Sequence, residues 1–489
     1  MSELAAERQS RTAARPGDAA RRYLAVAEQM PLQILTSMDW RSMQPPVKRY
    51  PRRAAFPAPR PIDRLLRGGY GLTRYQWDNW PALVGQYKLN MPAAGRPLRP
   101  VPSGGGLFSA ELYLIGSAPG LPVGVYHYDP AADCLDPVRP GANPAWLGLQ
   151  GPGLCLIIGS VFARVASKYR EFGYRLQCLD AGVLAGQLLT LIEAEGLTGE
   201  AVLRFDDERI AGLLGLDPQA ESALAVVTVH GLTDHSIGPQ YPTATAARPS
   251  PRTRPRPSLG TLPLTQALCA ASHGTSGPGG LPRPLTPAGF ASEKAIGLPK
   301  THVRLADGTE SRRTAAGRFG APALTRQQLG AILGAAGGWS GDAGPGHALL
   351  YCVVHDVADL GGGVYVYDPP THRLLPQAAD LSSRTWSGRP PAGLLGDDRA
   401  GLFVYPVGDY DAGFAAGGDR WFQIQNIVAG IGVQRMALAA AAAGLGCRVR
   451  CAYDTDSVAR LLGLPGTMRP LCQVLVGSVG QGVSYAQRL

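Results

Sequence analysis

Lysine is scarce in this chain: of 47 basic residues only Lys48, Lys88, Lys168, Lys294 and Lys300 are lysines, and the rest are arginines. Lys168 stands out among the five because Tyr169 follows it, which sets a possible base beside a possible acid. Long apolar runs are also missing. No stretch approaches the roughly 18 to 20 residues that cross a bilayer, and the polar, arginine-rich N-terminus lacks the apolar core of a secretion signal. The expectation is a soluble, cytoplasmic protein. The eight cysteines lie mostly singly in apolar segments, which suits reduced, buried thiols. Cys447 and Cys451 form the single close pair, with no second pair or histidine cluster to complete a metal set, so packing is expected there and no metal.

The 489 residues exceed what one hydrophobic core serves, and an apolar content of 45% is globular. A net charge of +10 raises the question of nucleic acid, but the arginines are scattered through proline-joined loops rather than gathered on one helix with aromatics. An anionic cofactor or an acidic peptide would still gain from that field.

Residues 1–18 read as polar and disordered. The apolar spacing of Tyr23, Leu24, Val26, Ala27 and Met30 predicts a helix over 18–38 broken by Pro31, docked on the main body. A second short helix is predicted near 62–66. Strands are predicted over 111–115, over Gly124-Val125-Tyr126-His127-Tyr128-Asp129-Pro130, and over 154–158 and 226–229, with a helix buried all round over 179–195. Between 239 and 263 the chain turns to Pro, Arg, Ser and Thr, a semi-rigid linker.

Beyond the linker the earlier pattern returns. Gly363-Val364-Tyr365-Val366-Tyr367-Asp368-Pro369 repeats the strand at 124–130, Ala441-Ala442-Ala443-Gly444-Leu445 answers Glu193-Ala194-Glu195-Gly196-Leu197, and Leu461-Leu462-Gly463-Leu464-Pro465 answers 213–217. The order is the same and the offset nearly constant, which indicates a tandem duplication. The expected organisation is a polar and helical extension (1–45), one α+β domain (46–238), the linker (239–263) and a second copy (264–489), paired as a dimer within one polypeptide.

Three motifs carry chemistry. In Pro102-Ser103-Gly104-Gly105-Gly106, a hydroxyl followed by glycines lets bare backbone approach an anion or a flat ring. In Ser311-Arg312-Arg313-Thr314, two arginines and a hydroxyl suit a phosphate, ahead of a helix opened by Thr325 with Gln328 three residues on. The third runs Lys168-Tyr169-Arg170-Glu171-Phe172-Gly173-Tyr174-Arg175 into Leu179-Asp180-Ala181-Gly182. Each alone is weak, since solvated turns and a half-buried Tyr are the commoner explanations.

Together these pieces resemble the flavin-dependent nitroreductase superfamily, and within it the SagB/McbC-type azoline dehydrogenases of thiazole- and oxazole-modified peptide pathways. The resemblance implies an α+β fold of two nitroreductase-like domains, antiparallel-rich sheets flanked by helices, fused as a pseudo-dimer with FMN at the junction. It also implies a composite site. The first half keeps the PSGGG and KY motifs but shows Lys48-Arg49-Tyr50-Pro51-Arg52-Arg53 where the arginine motif should begin. The second keeps Arg312, Arg313 and Thr314 but has Gly341-Asp342-Ala343-Gly344 in place of the serine-glycine loop and Ala416-Gly417 near the KY position. Pro102, Ser103, Gly104 and Gly105 from one half and Arg312, Arg313 and Thr314 from the other are therefore expected to hold one FMN, the second pseudo-equivalent site having decayed. Phe205 and Asp206 either add contacts beside the flavin ring or merely precede a helix at Glu208 capped by Asp207; Asp180 is expected to cap a helix rather than to catalyse.

Oxidising an azoline removes a proton from one ring carbon and a hydride from its neighbour, so a base is needed beside the flavin. By the resemblance that role falls to Lys168 and Tyr169: either a Tyr169 phenolate favoured by the Lys168 ammonium, or a neutral Lys168 with Tyr169 as hydrogen-bond donor. The sequence does not choose between them. The expected substrate is a modified precursor peptide delivered by a cyclodehydratase or leader-binding partner, because no ATP-binding or leader-capturing domain is recognisable; no nucleic acid or membrane is expected. Without an NAD(P) fingerprint, oxygen is the expected reoxidant. The alternatives are a nitroreductase-like flavin enzyme acting on a small molecule and a flavin-free scaffold that binds peptide.

Overall fold

The computed structural model describes residues 15–29, 44–50, 55–77, 96–232, 262–273, 280–287, 292–315, 319–377, 399–479 and 485–488. In the first half, Asp18–Ala27 (α1) and Ile62–Tyr70 (α2) precede the short strands Arg74–Trp77 (β1) and Arg96–Leu98 (β2). The Val-, Ile- and Tyr-rich segments then form Ala110–Ala118 (β3), Leu121–Asp129 (β4), Cys134–Pro140 (β5) and Leu154–Val161 (β6). Phe162–Tyr169 (α3) and Gly173–Ala194 (α4) follow, then Ala201–Val202 (β7), Asp207–Leu214 (α5) and Glu221–Val229 (β8). Strands β3 to β8 make one antiparallel sheet in the order β5-β4-β3-β6-β8-β7. The predicted stop at Asp129 has a local cause: its carboxylate takes the N–H of Ala131 and of Ala132 and turns the chain.

The second half repeats this order after Pro263–Ser272 (α6), Ile296–Gly297 (β9), Ala306–Ser311 (α7), Phe319–Gly320 (β10) and Arg326–Ala335 (α8). Leu349–Val354 (β11), Gly363–Asp368 (β12), Arg373–Gln377 (β13) and Leu402–Asp409 (β14) lead into Tyr410–Gly417 (α9) and Arg420–Ala442 (α10). Gly446–Arg450 (β15), Thr455–Leu461 (α11), Met468–Pro470 (β16), Gln473–Val479 (β17) and Tyr485–Arg488 (β18) complete it. Strands β9 to β17 form a nine-stranded sheet, while β18 crosses back to pair with β1 of the first half. Thr325 caps α8 in a reciprocal capping box with Gln328, as its spacing predicted.

The halves meet along α4 and α10, which are buried on nearly every side. Glycine makes the contact possible: a Cβ on Gly182 would lie 2.1 Å from the Ile427 carbonyl oxygen, and one on Gly430 2.3 Å from that of Leu179. A buried hydrogen bond from Gln434 to Gln187 (2.7 Å) crosses the same seam. Contrary to the expectation of no such run, Phe162–Ala194 is long and apolar enough by composition to span a membrane. It is instead the core of this interface, with 83% of its most apolar window buried inside the protein.

α1 straddles both halves. The Tyr23 hydroxyl donates to the Glu171 carbonyl (2.6 Å) and accepts the Arg175 N–H (3.0 Å), while the Ala20 N–H donates to Asp419 (2.8 Å). Of the predicted linker only Leu262 and Pro263 are described. Pro263 already opens α6, whose first N–H groups, at Leu264 and Thr265, donate to the Glu171 carboxylate.

Candidate functional site

The glycine turn sits over α4. Ser103 Oγ donates to Asp180 (2.7 Å) and accepts the Phe108 N–H (2.9 Å), while the Gly104 N–H donates to both Asp180 oxygens (3.0 and 3.1 Å). Asp180 thus lies inside α4 and anchors the turn; it is not the cap that its position suggested. Ser103 and Gly104 spend these donors on the protein itself, so the group left bare toward a ligand is Gly105, held at φ +64°.

Gly105 in turn faces Tyr169 and Lys168. A Cβ there would lie 3.0 Å from the Tyr169 ring and hydroxyl and 3.4 Å from Lys168 Cδ. Lys168 and Tyr169 end α3, the Lys168 ammonium lying 5.1 Å from the Tyr169 ring centroid. The helix is broken just after them by Arg170 at φ 50°, ψ −138°, a conformation that side chains rarely adopt. Burial, with the Asp180 carboxylate and Cys451 adding to it, pushes the Tyr169 phenol up to about 12. Tyr169 is therefore protonated at neutral pH, which disfavours the phenolate alternative. Burial likewise raises the Asp180 carboxyl to about 7, against the hydrogen bonds from Ser103 and Gly104 that favour its anion.

The second half reaches over to this turn. Arg312 Nε donates to the carbonyl of Pro100, two residues before Pro102 (2.7 Å), and Arg74 donates to the carbonyls of Arg312 and Arg99 (3.0 and 3.3 Å). Arg312 is buried, has no carboxylate partner among the described residues, and its terminal nitrogens make no hydrogen bond there. Burial, with the like charge of Arg74, lowers its pKa to about 9. An uncompensated guanidinium in such a place is what an anion would relieve. Arg313 is exposed and turned back on the carbonyls of Glu310 and Ser311, and Thr314 bridges to Cys447 beside β15. The arginine and glycine motifs, which lie more than two hundred residues apart in sequence, thus come together at one junction.

Phe205 and Asp206 belong elsewhere. Phe205 lies under the Arg420 guanidinium, 4.2 Å from its ring centroid, and it is Asp206, not Asp207, that caps α5. Asp207 forms a buried ion pair with Arg420 (2.5 Å). Beside them Asp342 of the second half accepts the N–H of Leu203 (2.8 Å) and of Arg204 (2.9 Å), while Ala201 pairs with Gly341. This is the other junction between the copies, closed by the protein's own carboxylate. The segment that matches 203–205 and approaches Lys168-Tyr169 is the one from Cys451 to Tyr453, where Cys451 lies within electrostatic reach of Tyr169 and is itself raised by burial and the Asp180 carboxylate. Cys451 packs against the main core as expected, and the repeat offset from 213–217 to 461–465 is the signal that places its segment here.

Compared with known proteins, residues 310–478 match the nitroreductase family. The fold as a whole matches a crystal structure of a nitroreductase-class protein from Anabaena variabilis, 22% identical, with a TM-score of 0.73 over 95% of this chain and 100% of that one. In sequence the chain is similar to the microcin B17-processing protein McbC of Escherichia coli, 26% identical over 28% of this chain and 56% of McbC. It is also similar to the trifolitoxin-processing protein TfxB of Rhizobium leguminosarum, 29% identical over 30% of this chain and 43% of TfxB. The chain thus spans about half the length of the curated relatives it matches. The fold is that of the nitroreductases. In sequence, its second half matches the nitroreductase family and the chain is similar to McbC and TfxB.

Proposed function

We propose that this chain is an FMN-dependent dehydrogenase that oxidises thiazoline and oxazoline rings to thiazoles and oxazoles in a ribosomally made peptide, with partner proteins forming the rings and presenting the peptide. The observation that carries this reading is the meeting of Arg312 with the Pro100–Gly105 turn, whose last residue packs on Tyr169 and Lys168. A group for holding a phosphate and a pair for moving a proton thereby share one junction. The likeness to two peptide-processing proteins supports the substrate class.

Arg312, with Arg313 near the surface, would hold the cofactor phosphate, and the bare backbone of Gly105 would admit the ring edge. Bound FMN supplies the hydride acceptor. Lys168 in its neutral form removes the ring proton. Tyr169, kept protonated by its burial, donates a hydrogen bond to the azoline heteroatom and steadies the charge that develops there. Ser103 and Asp180 hold the turn so that Gly105 and the pair stay in register.

The test is mass spectrometry of an azoline-containing peptide incubated with the FMN-loaded chain, with and without a purified cyclodehydratase, looking for loss of two hydrogens per ring. No loss under either condition would sink the azoline reading. A colourless protein that cannot be reconstituted with FMN would leave only the scaffold.

A further inference from the structure

Behind the Lys168–Tyr169 helix lies a buried row of charges that the proposed chemistry does not use. Arg164, one turn before Lys168 on α3, is 4% exposed and donates from Nη2 to Glu111 on β3. Its Nη1 donates at 3.3 to 3.5 Å to the carbonyls of Phe108, Ser109 and Ala110, the stretch leaving the glycine turn, and its Nε donates to Pro45 (2.8 Å). One guanidinium therefore ties the helix that ends in Lys168-Tyr169 to the strand that begins at the glycines. Glu111 also accepts the Lys48 N–H (2.9 Å) and pairs with His127 Nε2 (2.8 Å). His127 Nδ1 lies 3.7 Å from Asp136, a Coulombic contact too long for a hydrogen bond, and both Asp136 oxygens lack a hydrogen-bond partner among the described residues.

The second copy shows what these positions look like without charge. Glu111 stands opposite Gly159 and Leu349 opposite Val407; His127 and Asp136 are opposite each other, as are Val366 and Leu375. Arg164 and Ala412 each occupy the third position of the helix after the matching strand. The fold thus builds the same sheet around Leu349, Val366 and Leu375, each buried to 7% exposure or less, and the matching helix with a small, exposed Ala412 where Arg164 is buried. Apolar residues in place of a buried ion network are usually neutral or stabilising, so stability alone does not account for the charges. The copy that carries them is the one that carries Lys168 and Tyr169.

We infer that Arg164 and the Glu111–His127–Asp136 row behind it are positioning residues, which fix the end of α3 and the glycine turn relative to one another. This rests on the reading of Lys168 and Tyr169 as the reacting pair. It adds that the pair works only while Arg164 bridges Glu111 and the carbonyls after the turn.

The test gives the first half the second half's residues: Glu111→Leu, His127→Val, Asp136→Leu and Arg164→Ala together, beside the single Arg164→Lys. Both are compared with the wild-type holoenzyme for thermal unfolding, FMN affinity, amide hydrogen exchange over 104–110 and 162–169, and azoline oxidation. Expected are an equal or higher unfolding temperature and unchanged FMN affinity. Exchange in those two segments should be faster by about tenfold, and kcat should fall by about 10- to 100-fold with KM little changed. Arg164→Lys, which keeps the charge but not the fork, should lie between. Unchanged exchange in both segments would overturn the proposal whether or not the wild type oxidises azolines. So would a fourfold variant that fails to fold while Arg164→Lys behaves as wild type, because the charges would then serve stability. An inactive wild type with the exchange difference intact would condemn the azoline reading alone.

Discussion

The two junctions between the copies are built from corresponding segments and have opposite characters. At one, the Pro100–Gly105 turn meets a buried Arg312 that has no carboxylate partner among the described residues. At the other, Asp342 fills the N–H groups of Leu203 and Arg204, and Asp207 neutralises Arg420. A duplicated fold supplies two such junctions, and side-chain charge sets how each is filled. A buried guanidinium without a carboxylate costs stability, whereas the other junction returns that cost as internal hydrogen bonds and an ion pair.

The comparison can be broken most sharply at the acid–base pair. Lys168→Ala with Tyr169→Phe should bind FMN normally and oxidise azolines about 10²- to 10⁴-fold more slowly, the usual worth of general acid–base catalysis. Single-turnover peptide mass spectrometry reads the rate, and unchanged azole formation would remove the pair from the mechanism. At the Asp342 junction Asp207→Ala strands Arg420 and should cost about 3 to 5 kcal/mol in denaturant unfolding while leaving FMN affinity alone. A loss of FMN there would mean that both junctions bind.

Asp180 tests the Arg312 junction through pH. Burial raises its carboxyl from the usual 3.8 to about 7 in the folded protein, so the fold holds that proton where the unfolded chain has lost it. Its contribution to stability is full below about pH 4 and disappears as pH rises to about 7, at roughly 1.4 kcal/mol per pH unit at most. Asp180→Asn should flatten that slope and be the more stable protein at pH 8. Equal differences in unfolding free energy between pH 5 and pH 8 for the wild type and Asp180→Asn, read from urea titrations, would count against the burial of the charge.

Arg312→Gln should weaken FMN by about 1.5 to 3 kcal/mol, one charged hydrogen-bonding group, whereas Arg313→Ala, exposed and turned on its own turn, should weaken it less. Flavin fluorescence titration separates them, and the reverse ranking would shift the phosphate toward Arg313. Smallest is Arg170→Gly. The matching residue of the second copy is Gly418 at φ 60°, ψ −151°, so glycine at 170 should relieve strain and stabilise by about 1 kcal/mol in thermal melts.

Much of the fold was legible because it is local. The strand at 124–130 announces itself by alternation and its Asp-Pro stop, the helix after Thr325 by its cap, and the repeat by order and offset. The site was legible in part. That Lys168-Tyr169 and the glycine turn share one neighbourhood followed from the family resemblance, but Phe205 and Asp206 fall at the opposite junction. Asp180 looked like a cap because its bond to Ser103 spans 77 positions. Asp207 lost the cap to Asp206 because its charge is claimed by Arg420, 213 positions away.

By itself the sequence determined that two copies of an α+β unit share one chain, and which copy carries Lys168-Tyr169 and which Arg312-Arg313, because periodicity, turn residues and motifs are properties of short segments. Which arginine faces the turn, how each junction is filled, and why one copy buries four charged or polar residues where the other buries three aliphatic ones and exposes an alanine were decided by the tertiary structure. Those outcomes depend on where carboxylates and guanidiniums from distant segments meet out of water, where pairing or its absence is worth several times what it is at the surface.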